Sequence, residues 1–412
     1  MLAITLNKLR GAATSFISKK VHIGLWHISM PVFIWFLLTI VAVLLEMSRG
    51  IDDINNYIIY KQVFWHLTKH QNLFATYPNE YWDLNHYGPL FAIVIAPFAL
   101  MPVYIGCFFW CIANAWVLYW AIQKLPIANA AKMSIYLIAA VELMTSIHNV
   151  QFNAMITGFI ILSFVFVEEG NDFWATFFIV IGFLTKIYGI GGLAFFLFSK
   201  NKIRFIWSFV FWLVILFALP VIITSPAFLV QSYKDWYSSL VEKNIANINL
   251  SAVGGMQDIS AMGFIRRVSH YYSMPSWWVL APAMLLYVLP IIRFKQYQHL
   301  PFRLLYLAIT LIGVVVLSSS AESPTYVIAV VGVAIWFIAQ EKPLSSWKKW
   351  LLCFVIIFTS FSSTDFFPPY VRQHFITAYS IKALPCSLVW LATAYQLLVS
   401  GFSVSQAKIA EG

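Results

Sequence analysis

Two adjacent carboxylates, Asp52 and Asp53, follow the first long apolar run of the chain. The sequence then continues Ile54-Asn55-Asn56-Tyr57 into Tyr60-Lys61-Gln62-Val63-Phe64-Trp65-His66 at helical spacing. A carboxylate just outside hydrocarbon, in a partly dry pocket, holds a proton more readily and can serve as a general base. The competing reading is a solvated pair in which Asp53, or Asn55 beside it, caps the helix that follows. The second chemical signal is Lys186, an ammonium inside the apolar run 173–198. A charge at membrane depth costs at least about 2.5–3.5 kcal/mol on insertion scales, so it needs a partner. Two partners fit: Glu142, the other acid embedded in an apolar segment, or the phosphate of a lipid-linked molecule, with Tyr188 as an added hydrogen-bond donor. Arg266 and Arg267 are forked donors suited to phosphate, or else cations that snorkel to headgroups.

Other polar residues fall into lesser roles. Glu322, behind Ser318-Ser319-Ser320, either caps a helix or binds sugar hydroxyls across a cavity. His86 and His148 each stand at the edge of a span, where a hydrogen-bonded anchor is the expected role. Trp236, Tyr237, Asn244, Asn247 and Asn249 combine aromatic faces with amides, which suits a sugar or an interfacial belt. No His, Cys and carboxylate set has zinc spacing, and no Asp-x-Asp is present to hold a nucleotide and its metal, so no metal or other cofactor is expected. Cys107 and Cys111 share a face of an apolar helix, Cys353 and Cys386 stand apart, and all four read as packing residues.

The elements that must position these groups are membrane spans. Of the 412 residues, 61% are apolar or aromatic and 10% charged, against about 45–50% and about 25% in soluble domains. Apolar runs of spanning length recur almost to residue 400, which excludes a soluble enzyme, a nucleic-acid-binding module and a single-anchor protein. The expected fold is an all-α polytopic bundle of about twelve transmembrane helices forming one integral membrane domain over residues 1–412. Spans are expected near 25–46, 87–101, 103–122, 133–148, 152–167, 173–198, 205–224, 275–292, 303–318, 324–340, 348–361 and 376–399.

The net charge of +10 sits mostly in short loops, so it reports orientation rather than a nucleic-acid partner. A cytoplasmic N-terminus (residues 1–24, with Lys8, Arg10, Lys19 and Lys20) places Lys200, Lys202, Arg204, Arg293, Lys295, Arg303, Lys342, Lys348 and Lys349 on the same side. The C-terminus then also lies inside. The first span has no small-residue cleavage site and is expected to remain as a signal anchor. Glu168, Glu169 and Asp172 are sent outward by this assignment, and so, against the bias, are Lys124 and Lys132; the span 133–148 is also short, and a re-entrant or broken helix in that region would change the count by one. Two outer loops, 47–86 and 225–274, are far longer than the usual limit of about 12–15 residues. Their Trp, Tyr and Phe content favours ordered, amphipathic helices over disorder.

Asp53-Ile54-Asn55-Asn56-Tyr57, His86-Tyr87-Gly88-Pro89-Leu90 and Ala96-Pro97-Phe98 follow one another in the chain, and with them it resembles glycosyltransferase family 87, a branch of the GT-C superfamily of polytopic sugar transferases. Further on, Gln151-Phe152-Asn153 is similar to the family's Gly-Gln-x-Asn helix start, with Val150 in place of Gly. Lys186-Ile187-Tyr188 is similar to its Lys-x-Tyr-Pro, with Gly189 in place of Pro. Gln257-Asp258-Ile259-Ser260, ahead of Arg266 and Arg267, is similar to its Asn-Gln-Ser segment before a short basic helix. A His common in the family's later outer loop is missing from Ser318–Tyr326.

The resemblance implies transfer of a sugar, with mannose the first candidate and another hexose the alternative, from a polyprenyl-phosphate donor to a glycan or glycolipid acceptor. It implies inversion at the sugar, no metal, and a GT-C-like bundle in a bacterial inner (plasma) membrane, with the active site on the outer, periplasmic face and a product for the cell envelope. Asp53, with Asp52 as neighbour, is then the base; Lys186, Tyr188, Arg266 and Arg267 meet the donor phosphate. Tyr57, His86, Tyr87, Gln151, Asn153, Gln257, Asp258 and Glu322 surround sugar or acceptor. The rival reading is a polytopic transporter or lipid-linked-sugar flippase, although no inverted repeat with paired broken helices is evident.

Overall fold

The computed structural model describes residue 16 and residues 19–23, 26–250 and 257–402. Lys8 and Arg10 of the basic N-terminal segment, and residues 251–256 of the second long loop, lie outside the described residues. Apart from an antiparallel hairpin, β1 (Lys20–Ile23) with β2 (Trp26–Ser29), the secondary structure is helical.

Among the described residues, four helices are long and apolar enough to cross a membrane: α1 (Met30–Arg49), α4 (Val103–Lys124), α5 (Asn129–His148), and α8 (Lys202–Ala218) with its 3-10 extension to Ile222. Shorter apolar helices pack among them: α6 (Asn153–Glu168), α7 (Asp172–Thr185), α11 (Trp277–Val288), α12 (Leu300–Val316), α13 (Tyr326–Ile338) and α14 (Ala383–Val399). The chain is thus an all-α membrane protein. Length and composition alone do not set its spans at twelve.

The apolar pattern decides which helices lie at the centre. From Tyr326 to Trp336 every residue of α13 is buried, and α6 is nearly as enclosed, because both are apolar all round and can be covered on every side. α1 and α8 instead expose Leu37, Leu44, Leu45, Ile203, Trp207 and Val214, as lipid-facing helices do.

The structure corrects the expected path in two places. Residues 173–198 are not one span. α7 ends at Thr185, Lys186 is extended, and a 3-10 helix over Ile187–Phe198 runs back alongside α7. The fold-back is close: Gly189 lies against the backbone of Gly182, and Gly192 lies against Ile179. Both ends of this hairpin therefore return to one end of the bundle. There Arg204 pairs with Asp172 at 3.1 Å, and Arg303 grips Glu168 at 2.6 Å. Glu168 and Asp172 thus accompany the basic residues instead of lying opposite them, and Glu169 follows in the same turn.

The second correction concerns 87–101. Its helix, α3 (Phe91–Ala99), has only nine residues and stays beside α2 (Asn55–Thr68) along its length. The ring of Phe91 meets Tyr60, the Tyr57 hydroxyl donates to the Phe98 carbonyl at 2.8 Å, and Lys61 Nζ donates to the Ala99 and Met101 carbonyls. α4 accordingly starts beside α2 and brings Lys124 and Lys132 to the basic end, where Ser29 Oγ lies 3.0 Å from Met133 Sδ. The two departures reverse the chain direction once each, so later helices keep the expected orientation.

Both long loops carry helices: α2 in the first, and α9 (Pro226–Leu250) with α10 (Ala261–Ser269) in the second. α2 packs into the protein, with Tyr57 and Phe64 buried. Neither Asp53 nor Asn55 caps it; the Asn55 Oδ1 accepts from the Trp82 amide at 3.1 Å.

Candidate active site

At the end opposite the basic cluster, the helix ends and the two loops enclose a cavity of about 1130 Å³. Its wall is built around the α7 hairpin. The Gly88 amide donates to the Thr185 carbonyl at 3.0 Å, and a Cβ at Gly88 would overlap the Leu184 carbonyl. This contact presses the loop ahead of α3 onto the tip of the hairpin and sets the Tyr87 ring 5.2 Å from the Lys186 ammonium. The Tyr188 ring lies 5.4 Å from the same ammonium, with its hydroxyl 3.2 Å from Ser318 Oγ. The Tyr87 hydroxyl lies 3.0 Å from that of Tyr60 and donates to Gln151 Oε1 at 3.3 Å.

Lys186 does not pair with Glu142, which bonds Lys382 at 2.8 Å instead. Its Nζ donates to Asn153 Oδ1 at 2.6 Å, and the Asn153 amide donates in turn to the Pro324 carbonyl. An ammonium has three donors. Among the described residues Asn153 is the one hydrogen-bond partner of this ammonium, and no carboxylate lies within ion-pair distance.

Further charges surround the cavity. Lys243 stands 3.7 Å from Glu322, and Arg372 bonds Asp365 at 3.0 Å. The Lys382 donors are taken by Glu142, Ser323 and Ser363. His86 also lines the cavity, with Nδ1 3.3 Å from Ser239 Oγ; burial, then Lys243 and Lys186, push its pKa down to about 3 and keep it neutral.

The structure gathers His86, Tyr87, Gln151, Lys186, Tyr188, Gln257 and Glu322 on this one surface. Asn153 lies directly behind it. Tyr57 is buried away from it, bonded to α3. Asp52 and Asp53 are exposed in the turn before α2 and are not among the lining residues; Asn56, one turn on, is.

Arg266, Arg267 and Asp258 differ most from expectation. All are buried, because the polar face of α10 turns inward onto a carboxylate and free carbonyls. Arg266 bonds Asp258 at 2.8 Å, the Met274 carbonyl and Ser276 Oγ, while Arg267 bonds the Thr377 and Gln257 carbonyls. These donors fasten the second loop instead of facing a phosphate. Trp236 likewise donates to the His86 carbonyl, and Asn244 accepts from Ser319.

Sequence reasoning misses Lys243, Arg372, Ser362, Ser363 and Lys382. Lys382 had a readable signal, a lysine within the apolar run 376–399, the same feature that marks Lys186. It also misses Glu46. This acid, buried at the end of α1, is in ion-pair contact with Nδ1 of the cavity residue His148, while Arg49 Nη1 lies 3.0 Å from the same oxygen.

The arrangement is a polar, cation-bearing cavity at the mouth of an apolar bundle. The model of glycosyltransferase family 87 matches residues 85–320, more than half of the chain. The chain belongs to that family. It is therefore a membrane glycosyltransferase by family, and the match covers the loop before α3, the Lys186 hairpin and both helices of the second loop. No curated protein matches the chain.

Proposed function

We propose that the protein transfers mannose or a related hexose from a polyprenyl-phosphate donor to a glycan or glycolipid acceptor, at the outer face of a bacterial inner membrane. The observation that carries this reading is Lys186. Its ammonium is held at the tip of a fold-back within apolar helices, faces a large cavity, and has a neutral amide where a buried charge would ordinarily have a carboxylate. A phosphate between Lys186 and Lys243, with the Tyr188 hydroxyl nearby, supplies the missing negative charge.

The chemistry follows from the same groups. The donor's phosphate becomes a better leaving group as fixed cations meet the charge that develops on it, so the proposed reaction draws on lysines rather than a divalent metal. One displacement by an acceptor hydroxyl inverts the anomeric carbon. The resemblance gives the hydroxyl proton to Asp53, with Asp52 beside it; both are exposed in the turn before α2, one turn ahead of the lining residue Asn56, and the proposed acceptor enters from that side.

The test is transfer by purified protein in lipid vesicles, supplied with radiolabelled polyprenyl-phosphate mannose or glucose and a membrane lipid extract as acceptor. Label in a new glycosidic product is expected. Label that crosses the vesicle wall without a new bond would replace this reading with a flippase.

A further inference from the structure

The cavity has a second polar wall, formed by the chain around Ser323 and from Ser362 to Lys382, to which the donor reading gives no role. We infer that this wall is the acceptor subsite and that it binds neutral sugar units through serine hydroxyls. The inference rests on the transfer proposed above and leaves the acceptor's proton with the aspartates of the first loop.

The wall is organised by Lys382, the residue ahead of α14. An ammonium has three donors and no acceptor. Those of Lys382 go to Glu142 at 2.8 Å, Ser323 Oγ at 2.9 Å and Ser363 Oγ at 3.1 Å. Both serine oxygens therefore accept from the lysine. They also lie 2.6 Å apart, so one hydroxyl donates to the other. One hydroxyl proton of the pair is left over, and because both serines line the cavity and Ser363 is exposed, it is available to a ligand.

Ser380 supplies an independent observation. It lines the cavity although only 1% exposed, and its Oγ has no hydrogen-bond partner among the described residues. Buried hydroxyls are ordinarily bonded. Its backbone is left-handed, with φ 51°, a conformation that glycine adopts without a Cβ penalty. A serine there adds a hydroxyl where the backbone favours glycine. Gln373, exposed on the same wall, adds an amide that both donates and accepts.

The charges of this wall cancel. Lys382 meets Glu142, and Arg372 meets Asp365 at 3.0 Å and the Thr364 carbonyl at 3.3 Å. Each cation here has a carboxylate, unlike Lys186, so the wall offers hydroxyls and an amide instead of a site for phosphate. Sugar hydroxyls, which donate and accept, match those groups.

Two contacts place the wall with the rest of the site. Asn153, which holds Lys186, donates to the carbonyl of Pro324, next to Ser323. On the other side, Glu142 of α5 holds Lys382, while the carbonyl of Asn149, at the end of the same helix, accepts from the Asn56 amide at 2.9 Å. Those seven residues of helix span about 10 Å, and Met144 and Thr145 line the cavity between them. A glycan that enters beside Asn56 and lies along this end of α5 reaches the serines.

The test uses full-length protein in lipid nanodiscs, with radiolabelled polyprenyl-phosphate mannose as donor and the membrane lipid extract as acceptor, each varied in turn. The variants are Ser363→Ala, Ser380→Gly and the two combined. Each single variant is expected to need about 3-fold more extract for half-maximal rate and the combined variant about 10-fold more, with the donor requirement unchanged. The neutral disaccharides mannobiose and cellobiose serve as probes: at least one is expected to compete with the extract in the wild type, and about 10-fold less well in the combined variant. Ser363→Ala, which removes an exposed hydroxyl, keeps the test valid if the combined variant fails to fold. Folded variants with the wild-type requirement for extract, a rise in the donor requirement instead, or a wild type indifferent to both disaccharides overturns the inference. Wild-type protein that transfers nothing removes the donor reading and this inference with it; an active wild type with unchanged variants removes the inference alone.

Discussion

Lys186 is the residue on which the chemistry turns, and its surroundings make a sharp expectation. Lys186→Gln keeps a donor for Asn153 but removes the charge. Charged hydrogen bonds contribute about 1.5–3 kcal/mol, so kcat/KM for the lipid-linked donor should fall by about 10- to 150-fold while thermal stability is kept or rises, since the desolvation cost of a buried cation is removed. Unchanged donor kinetics in a folded variant would place the phosphate elsewhere. Lys186 was legible because a lone charge in an apolar run is visible without coordinates. Glu46 and His148 were not, since their pairing joins residues far apart in the chain and neither has a motif around it. The sequence of Arg266 and Arg267 suggests phosphate ligands because composition shows that a guanidinium is present. It does not show that Asp258, three backbone carbonyls and the Ser276 hydroxyl take up the donors of the two side chains.

At the scale of elements, the site depends on a short fold-back that hydropathy cannot distinguish from a single crossing. Residues 173–198 are mostly apolar and carry no charge apart from Lys186, so a window average reads one span. The available clue was Gly189-Ile190-Gly191-Gly192, a run poor in helix propensity where backbones can touch. The α3 segment misleads in a similar way: its apolar residues contact α2 and α4, so they reflect protein packing instead of lipid.

Gly88 joins these two elements, and its substitution tests their role. Gly88→Ala drives a Cβ into the Leu184 carbonyl, at an overpacking cost of about 1–3 kcal/mol. A lower thermal midpoint in detergent is expected, together with reduced transfer, because the shift carries Tyr87 away from Lys186. Full activity with unaltered stability would show that the loop does not set the geometry of the cavity.

For the whole molecule, composition alone established the class: an apolar, helical membrane protein with its charges concentrated at helix ends. The later helices run in the relative directions the span pattern gives, for a reason the sequence does not display: the short α3 beside α2 and the fold-back after α7 each reverse the chain once. The result is a bundle with two unlike ends. One end carries ion pairs such as Arg303 with Glu168 and Arg204 with Asp172. The other carries the cavity, where Lys186 is without a carboxylate partner among the described residues. This asymmetry is the basis for placing the lipid-linked phosphate there. The most direct measurement is an experimental structure of the protein in lipid nanodiscs with a polyprenyl phosphate bound. Phosphate density within hydrogen-bond reach of Lys186 Nζ, between the Tyr87 and Tyr188 rings, is the predicted result; a phosphate seated at the basic end, or a cavity left empty at saturating ligand, would contradict the account.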